Sequence, residues 1–236
     1  MVNSFICLDL ETTGLNPKTD KIIEIGAIRI ENGIETGTFE TFVNPGRLLE
    51  ERIVELTGIR DDDLQNAPPI QEMLPRFLEF AGDLPLLGHS VLFDFSFIKK
   101  AAVNQKLIFE REGIDTLKIA RKYLQELPSR SLGALCEHYR IPHQAHRALE
   151  DARATIRLHQ ILWEQFGGQE EKKNSLFLPA KLIYQAKKDS PITKNQKERL
   201  YKLIAQHKID TVYDIDKLTK SEASRYTDRI LAEYGR

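Results

Sequence analysis

The run Phe5-Ile6-Cys7-Leu8-Asp9-Leu10-Glu11-Thr12-Thr13-Gly14 places two acids among apolar residues, with no positive side chain beside them. Phe5 to Leu8 has the short apolar character of a buried strand, and Thr12-Thr13-Gly14 supplies the break that ends it. Positions i and i+2 of a strand share a face, so Asp9 and Glu11 point the same way at the strand's end. Two carboxylates so placed repel each other and lose hydration unless something neutralises them, and a divalent cation would do so. The alternative on spacing alone is a solvated strand end with two ordinary surface acids.

Two further stretches supply acids for the same place. In Gly88-His89-Ser90-Val91-Leu92-Phe93-Asp94-Phe95, Asp94 follows a short apolar strand and opens a helical pattern; a plain N-cap is the competing reading. In His146-Arg147-Ala148-Leu149-Glu150-Asp151, the His and the final Asp are five apart, which on one continuous helix turns them about 140° from each other. Both face one site only if His146 lies in the entering loop and Asp151 in the helix, and Pro142-His143-Gln144 makes such a loop. A zinc set drawn from Cys136, His138, His143 and His146 is disfavoured, because Cys136 and His138 diverge on a helical segment.

The elements that must carry these residues follow from periodicity. Lys21–Glu31 and Thr38–Asn44 are β-branched and aromatic runs bounded by Gly33, Gly37 and Pro45, so three early strands suggest a meander. Helical spacing marks 70–81 and 95–103, with the strand Leu84–His89 between them, then a strand end at Ile114-Asp115-Thr116 and helices at 117–124, 131–139 and 149–166. Strands first, then strands alternating with helices, predict an α/β layer architecture with a mixed sheet. The polar, Gly-led stretch from Gly167 predicts a linker over 167–175 between a body (1–166) and a small basic helical module (176–236). In that module Thr193-Lys194-Asn195-Gln196 and Thr219-Lys220-Ser221-Glu222 both fit the capping box that starts a helix.

Together D-x-E-T-T-G at Asp9–Gly14, H-x-x-x-F-D at His89–Asp94 and H-x-x-x-x-D at His146–Asp151 resemble the three motifs of the DEDDh branch of the DnaQ-like 3′-to-5′ exonucleases, the family of the proofreading ε subunit of bacterial DNA polymerase III. Glu55-Leu56-Thr57-Gly58-Ile59 and Ile114-Asp115-Thr116-Leu117 are similar to its connecting segments, and the likeness spans 4–166. Ser90 departs from it, where the family more often has Asn. The resemblance implies a ribonuclease H-like mixed five-stranded sheet covered by helices, and a site for two divalent cations, Mg²⁺ or Mn²⁺. By the same resemblance Asp9 bridges both ions, Glu11 and Asp151 complete the site of the ion that activates water, and Asp94 supports the second through water. His146, an imidazole of a type that ordinarily titrates near neutrality, takes the proton from the attacking water. Backbone groups of Thr12 and Thr13, with Glu11, bind the terminal 3′-hydroxyl. His89, in the second motif, is counted by the resemblance among the substrate-binding residues, and Leu15 presses on the terminal bases, unless it packs in the core.

The implied substrate is a single-stranded DNA 3′ end, digested to nucleoside 5′-monophosphates in proofreading or repair; an exoribonuclease of the same branch and a non-catalytic binding module are the alternatives. DNA polymerase and a sliding clamp are the implied partners. Lys173-Asn174-Ser175-Leu176-Phe177 resembles a short clamp-docking peptide through Leu176 and Phe177, against the alternative that these residues begin the module's own core. Charge is uneven: residues 167–236 hold 15 Lys+Arg against 10 Asp+Glu, net +5, and the preceding residues hold 19 against 25, net −6. An acidic body argues against broad electrostatic adhesion to nucleic acid. With two cysteines, no basic leader at the start and no apolar stretch of membrane-spanning length, the expected setting is a reducing cytoplasm, with no membrane partner.

Overall fold

The computed structural model describes residues 2–168, 174–211 and 213–235. Strand β1 (Phe5–Thr12) is central, with β2 (Ile22–Glu31) antiparallel beside it and β3 (Ile34–Phe42) antiparallel beyond. On the other flank β4 (Leu86–Gly88) and β5 (Glu112–Asp115) run parallel to β1, and β6 (Ala180–Lys181) closes the edge antiparallel to β5. The order is β3-β2-β1-β4-β5-β6. The mixed sheet is as expected, but among the described residues it has six strands rather than five: β6 is two residues long, too short to show an alternation.

Strand β1 continues past Leu8 because Asp9 to Glu11 still pair with β2, and the register shifts only between Glu11 and Thr12. The third strand starts at Ile34, not Thr38. Asn32 and Gly33, with φ of 53° and 80°, turn the chain in two residues so that Glu31 pairs Ile34, the turn whose twist suits adjacent antiparallel strands.

Helices cover both faces. On one, Ile6, Leu8 and Leu10 pack with Leu74 and Phe77 of α3 (Ile70–Ala81) and Phe95 and Ile98 of α4 (Val91–Asn104), after the short α1 (Glu51–Thr57) and α2 (Asp61–Leu64). On the other, Phe5 and Cys7 pack with Ile119 of α5 (Thr116–Tyr123), Leu135 of α6 (Leu132–Tyr139) and Ala152, Leu158 and Leu162 of α7 (Ala148–Phe166). Period two thus carries Asp9 and Glu11 onto the side of α7. Among the described residues no helix is long and apolar enough to cross a membrane.

The chain after α7 joins the body sooner than its composition suggests. Residues 169–173 of the expected linker, including Lys173 of the docking peptide, lie outside the described residues. Leu176 is partly buried and Phe177 fully so, packed on His159 and Trp163 of α7 and on Tyr123. Leu182 enters the opposite core cluster, and Lys100 and Asn104 of α4 bind Asp189 at 2.6 and 2.8 Å. The docking expectation for Leu176 and Phe177 is therefore corrected, and so is its alternative: Phe177 fills the body's core, not the module's, because β5, α5 and α7 leave an apolar seat that a large ring fills. The module's own core, Leu200, Leu203, Ile215, Leu218, Ala223, Tyr226 and Ile230, comes from α8 (Lys194–His207), α9 (Lys220–Tyr234) and the turn between them. Both helices start with the expected capping boxes.

Removing a fully buried Phe leaves a cavity as well as losing burial, so Phe177→Ala is expected to cost about 3–5 kcal/mol. A chain ending at residue 166 should melt well below the full chain. Urea unfolding checks both, and an unchanged midpoint would contradict this placement.

Candidate active site

The site is built where α7 starts. In the β1–β2 register Asp9 lies opposite Gly26 and Glu11 opposite Glu24. A Cβ at Gly26 would collide with the carbonyl carbon of Ala148 and the amide nitrogen of Leu149, so the first turn of α7 rests directly on β2. Glu24, almost fully buried, fixes that turn. Its Oε2 accepts the Ala148 N–H at 3.2 Å, and its Oε1 accepts from Arg147 Nε and Nη2 at 3.3 and 3.2 Å. A carboxylate at a helix N-terminus meets both unsatisfied N–H groups and the positive end of the helix dipole.

This seat brings Asp151 to the two acids of β1. One ligand oxygen each of Asp9, Glu11 and Asp151 lie within 4.8 Å of one another. Asp94, buried in the first turn of α4, faces Asp9 closely enough to raise its pKa. It is not the N-cap of α4: that position belongs to Ser90, at φ 75°, whose N–H donates to Asp115 Oδ1 at 3.0 Å.

The four acids have few counter-charges. Burial, then Asp94, Asp151, Glu11 and Glu24, holds the Asp9 carboxyl well above its ordinary range. Burial, then Asp151 and Glu24, pushes Glu11 up to about 8, against the partial relief of Arg147. Asp94 is also well raised by burial, despite N–H donation from its own amide and that of Leu10. Asp9, Glu11 and Asp94, whose protons are held by burial and repulsion, make with Asp151 an all-oxygen donor set that a hard divalent cation fits.

His146 lies in the loop entering α7, as its spacing from Asp151 requires, at φ 64°. Its N–H donates to Asp151 Oδ2 at 2.9 Å, and its ring Nδ1 stands 3.9 Å from Glu11 Oε1 with the side chain half exposed. His143 Nε2 pairs with the other oxygen, Asp151 Oδ1.

The remaining expectations divide. Leu15 is 84% exposed, which excludes its packing in the core. The Thr13 N–H is spent on Lys21 O at 2.8 Å and its hydroxyl binds Lys21 N and Arg47, while the Thr12 hydroxyl donates to Gly14 O. Thr13 is thus held inside its loop, and its amide is not free for a ligand. His89 is corrected: its Nδ1 meets Thr116 Oγ1 at 2.9 Å and its Nε2 the Arg130 carbonyl at 2.8 Å. Both ring nitrogens are used within the protein, so His89 ties β4 to the start of α5. Sequence reasoning passed over Glu24 and Gly26, and weighed His143 only as a loop residue and in a disfavoured zinc set. The signal for the first two was an acid and a glycine on one face of an otherwise apolar strand.

The model of the RNase T exonuclease family, described as Exonuclease, matches residues 6–159. The chain belongs to this exonuclease family, in its DnaQ-like DEDDh branch. It is 39% identical over 170 residues to the DNA polymerase III subunit epsilon of Aquifex aeolicus, covering 70% of this chain and 84% of that one. It is also 44% identical over 156 residues to the PolC-type DNA polymerase III of Caldanaerobacter subterraneus, covering 65% of this chain. The chain spans only 11% of that relative's length. The PolC-type enzyme of Thermotoga maritima matches at 36% identity over 93% of this chain and 17% of its own length, a span that takes in most of the module. Solved neighbours share the fold. Exonuclease I superposes with a TM-score of 0.63 at 21% identity over 75% of this chain and 43% of that one. Exonuclease X in complex with 5′-overhanging duplex DNA superposes with 0.56 at 23% over 73% and 98%. All three motifs of the DEDDh exonuclease fall within the matched residues.

Two outcomes follow from the packing and the charge of this exonuclease site. Gly26→Ala should push α7 off β2 and lower nuclease activity roughly tenfold or more, since small misplacements of reacting groups are costly; circular dichroism checks that the variant is folded, and wild-type turnover by it would refute the seat. Without cation, Glu11 holds a proton in the folded chain up to pH about 8, whereas a free carboxyl loses it near about 4.3. Between those values the folded state binds more protons, so stability should fall as pH rises, and Mg²⁺ or Mn²⁺ should raise the melting temperature most at the alkaline end. Calorimetry with chelator and with added metal tests this, and a flat pH profile in chelator would oppose it.

Proposed function

We propose that the chain is a 3′-to-5′ exodeoxyribonuclease that hydrolyses the terminal phosphodiester of single-stranded DNA, releases nucleoside 5′-monophosphates and serves proofreading or repair. The convergence of Asp9, Glu11 and Asp151 beside His146 carries this reading. The DNA polymerase III names of the relatives support DNA as substrate and a polymerase as partner. One solved neighbour is described as a 3′-exonuclease recognising a histone mRNA stem-loop, so the fold is compatible with either sugar.

Asp9, Glu11 and Asp151 would hold Mg²⁺ or Mn²⁺, with Asp94 behind Asp9. Bound there, two divalent cations supply Lewis-acid activation of water and neutralise the phosphate's charge. The protein's part is to orient and to move a proton. The His146 N–H holds one oxygen of Asp151, and the imidazole, with Nδ1 toward Glu11, takes the proton of the attacking water at Nε2. Glu11 and the backbone of Thr12 would meet the terminal 3′-hydroxyl, and the exposed Leu15 would lie against the last bases. Stacking of this kind tolerates any base.

Asp9→Ala and Asp151→Ala should abolish nearly all hydrolysis of a short single-stranded oligonucleotide with the fold retained; substantial residual activity in either would sink the assignment. His146→Ala should lose about 10²–10⁴ in rate and recover part of it as pH rises and hydroxide replaces the base. An unaltered pH–rate profile would exclude that role. Matched DNA and RNA oligomers decide the substrate, and faster digestion of RNA would replace the deoxyribonuclease reading by the exoribonuclease one.

A further inference from the structure

The loop 13–21, between the end of β1 and the start of β2, carries Leu15 on its outer side and is pinned from within by Asp20. Asp20 Oδ2 accepts the Asn16 N–H at 2.9 Å. A Cβ at Gly14 would stand 2.6 Å from the same oxygen, so the carboxylate lies against the loop's backbone. The other oxygen, Oδ1, is held by Arg225 of α9, whose Nη1 donates to it at 2.5 Å and to Thr19 Oγ1 at 2.6 Å. Asp20 has a side chain only 2% exposed.

Arg47 makes the second link. Its Nη2 donates to Thr13 Oγ1 at 2.6 Å and to Thr19 O at 3.2 Å, and its Nη1 to the Tyr226 hydroxyl at 3.0 Å. Glu222, also on α9 and nearly buried, lies 3.0 Å from Lys21 Nζ and 3.5 Å from Arg47 Nη1. Three positive and two negative side chains thus join α9 to both ends of the loop. Such a cluster is directional: each carboxylate is out of water, and removing a partner leaves charge unpaired rather than resolvated.

We infer that helix α9 of the C-terminal module positions the loop that receives the strand's 3′ end, with Arg225 as the main positioning residue acting through Asp20. This inference rests on the exonuclease reading of the site. Arg225 touches neither the carboxylate cluster nor the exposed side of Leu15, so it acts on strand capture rather than on hydrolysis. The module is on this account a part of the substrate-binding apparatus: its Arg225 is spent on Asp20 of the body, and its Glu222 on Lys21 and Arg47 of the body.

The experiment is steady-state digestion of a single-stranded oligonucleotide by the full chain, beside a p-nitrophenyl ester of thymidine 5′-phosphate, which offers the scissile bond and the 3′-hydroxyl but no further bases. For Arg225→Ala we expect KM for the oligonucleotide to rise about tenfold with kcat within about twofold, as for lost binding without lost transition-state contacts. Both constants for the ester should hold, and Arg225→Lys should restore much of the oligonucleotide KM. Equal losses on both substrates, or a fall in kcat alone, would make Arg225 a general structural residue and overturn the proposal, as would an unchanged oligonucleotide KM. Should Arg225→Ala not fold, Tyr226→Phe, which removes the hydroxyl that accepts from Arg47, carries the same test at a smaller rise. A wild-type chain inactive on both substrates with Mg²⁺ and Mn²⁺ would instead refute the exonuclease reading, a result distinct from any of these.

Discussion

The first turn of α7 touches the backbone of β2 at Gly26, and the geometry of the site hangs on that contact. A side chain there would hold the helix away and withdraw Asp151 from Asp9 and Glu11. Glu24 makes the approach stable as well as sterically allowed, because it satisfies the helix's exposed N–H at Ala148 and fixes Arg147 beside it. One strand face therefore serves three ends: Glu11 and Asp9 on β1, their cross-strand neighbours Glu24 and Gly26 on β2, and the helix they seat. The positive φ of His146 follows from the same constraint, since the chain must turn sharply to present both the residue's N–H and its ring to the acids.

That arrangement opposes folding on its own account. Two unit charges about 4 Å apart at a protein surface repel by about 4 kcal/mol, and four acids meet here, with Arg147 partly relieving Glu11. The chain answers by holding protons on Asp9, Glu11 and Asp94. The two apolar clusters on either face of the sheet bear the cost. A bound cation replaces those protons, so that metal binding, proton release and stability are one linked equilibrium.

Besides Leu182 in the core and the bonds of Asp189 to α4, the C-terminal residues join the body in three ways. Phe177 is a hydrophobic plug, β6 extends the sheet by two residues, and α9 forms an ionic clasp on the loop after β1. The first two belong to the exonuclease domain's own packing. The third links an independently cored helical pair to the place where a strand end would arrive, and its buried ion pairs specify orientation more than they add stability.

Much of this was legible in the sequence. Local periodicity marked the helix over 70–81 at its observed limits, the i, i+2 spacing placed Asp9 and Glu11 on one face, and the five-residue step from His146 to Asp151 required a loop before a helix. Those inferences need only strand and helix geometry, which residues carry with them wherever they fold. The sixth strand, the seat of Phe177, the engagement of both nitrogens of His89, and the bond of Asp20 to Arg225 depend on segments up to 205 positions apart. No local pattern encodes such a meeting. A two-residue strand has no period, and an apolar side chain after a polar linker reads alike whether its cavity is in its own module or in the neighbouring body. The sequence by itself determined which residues can do the chemistry and which faces they occupy; tertiary packing decided which acids meet, because a carboxylate's partners are set by what is brought within a few ångströms of it.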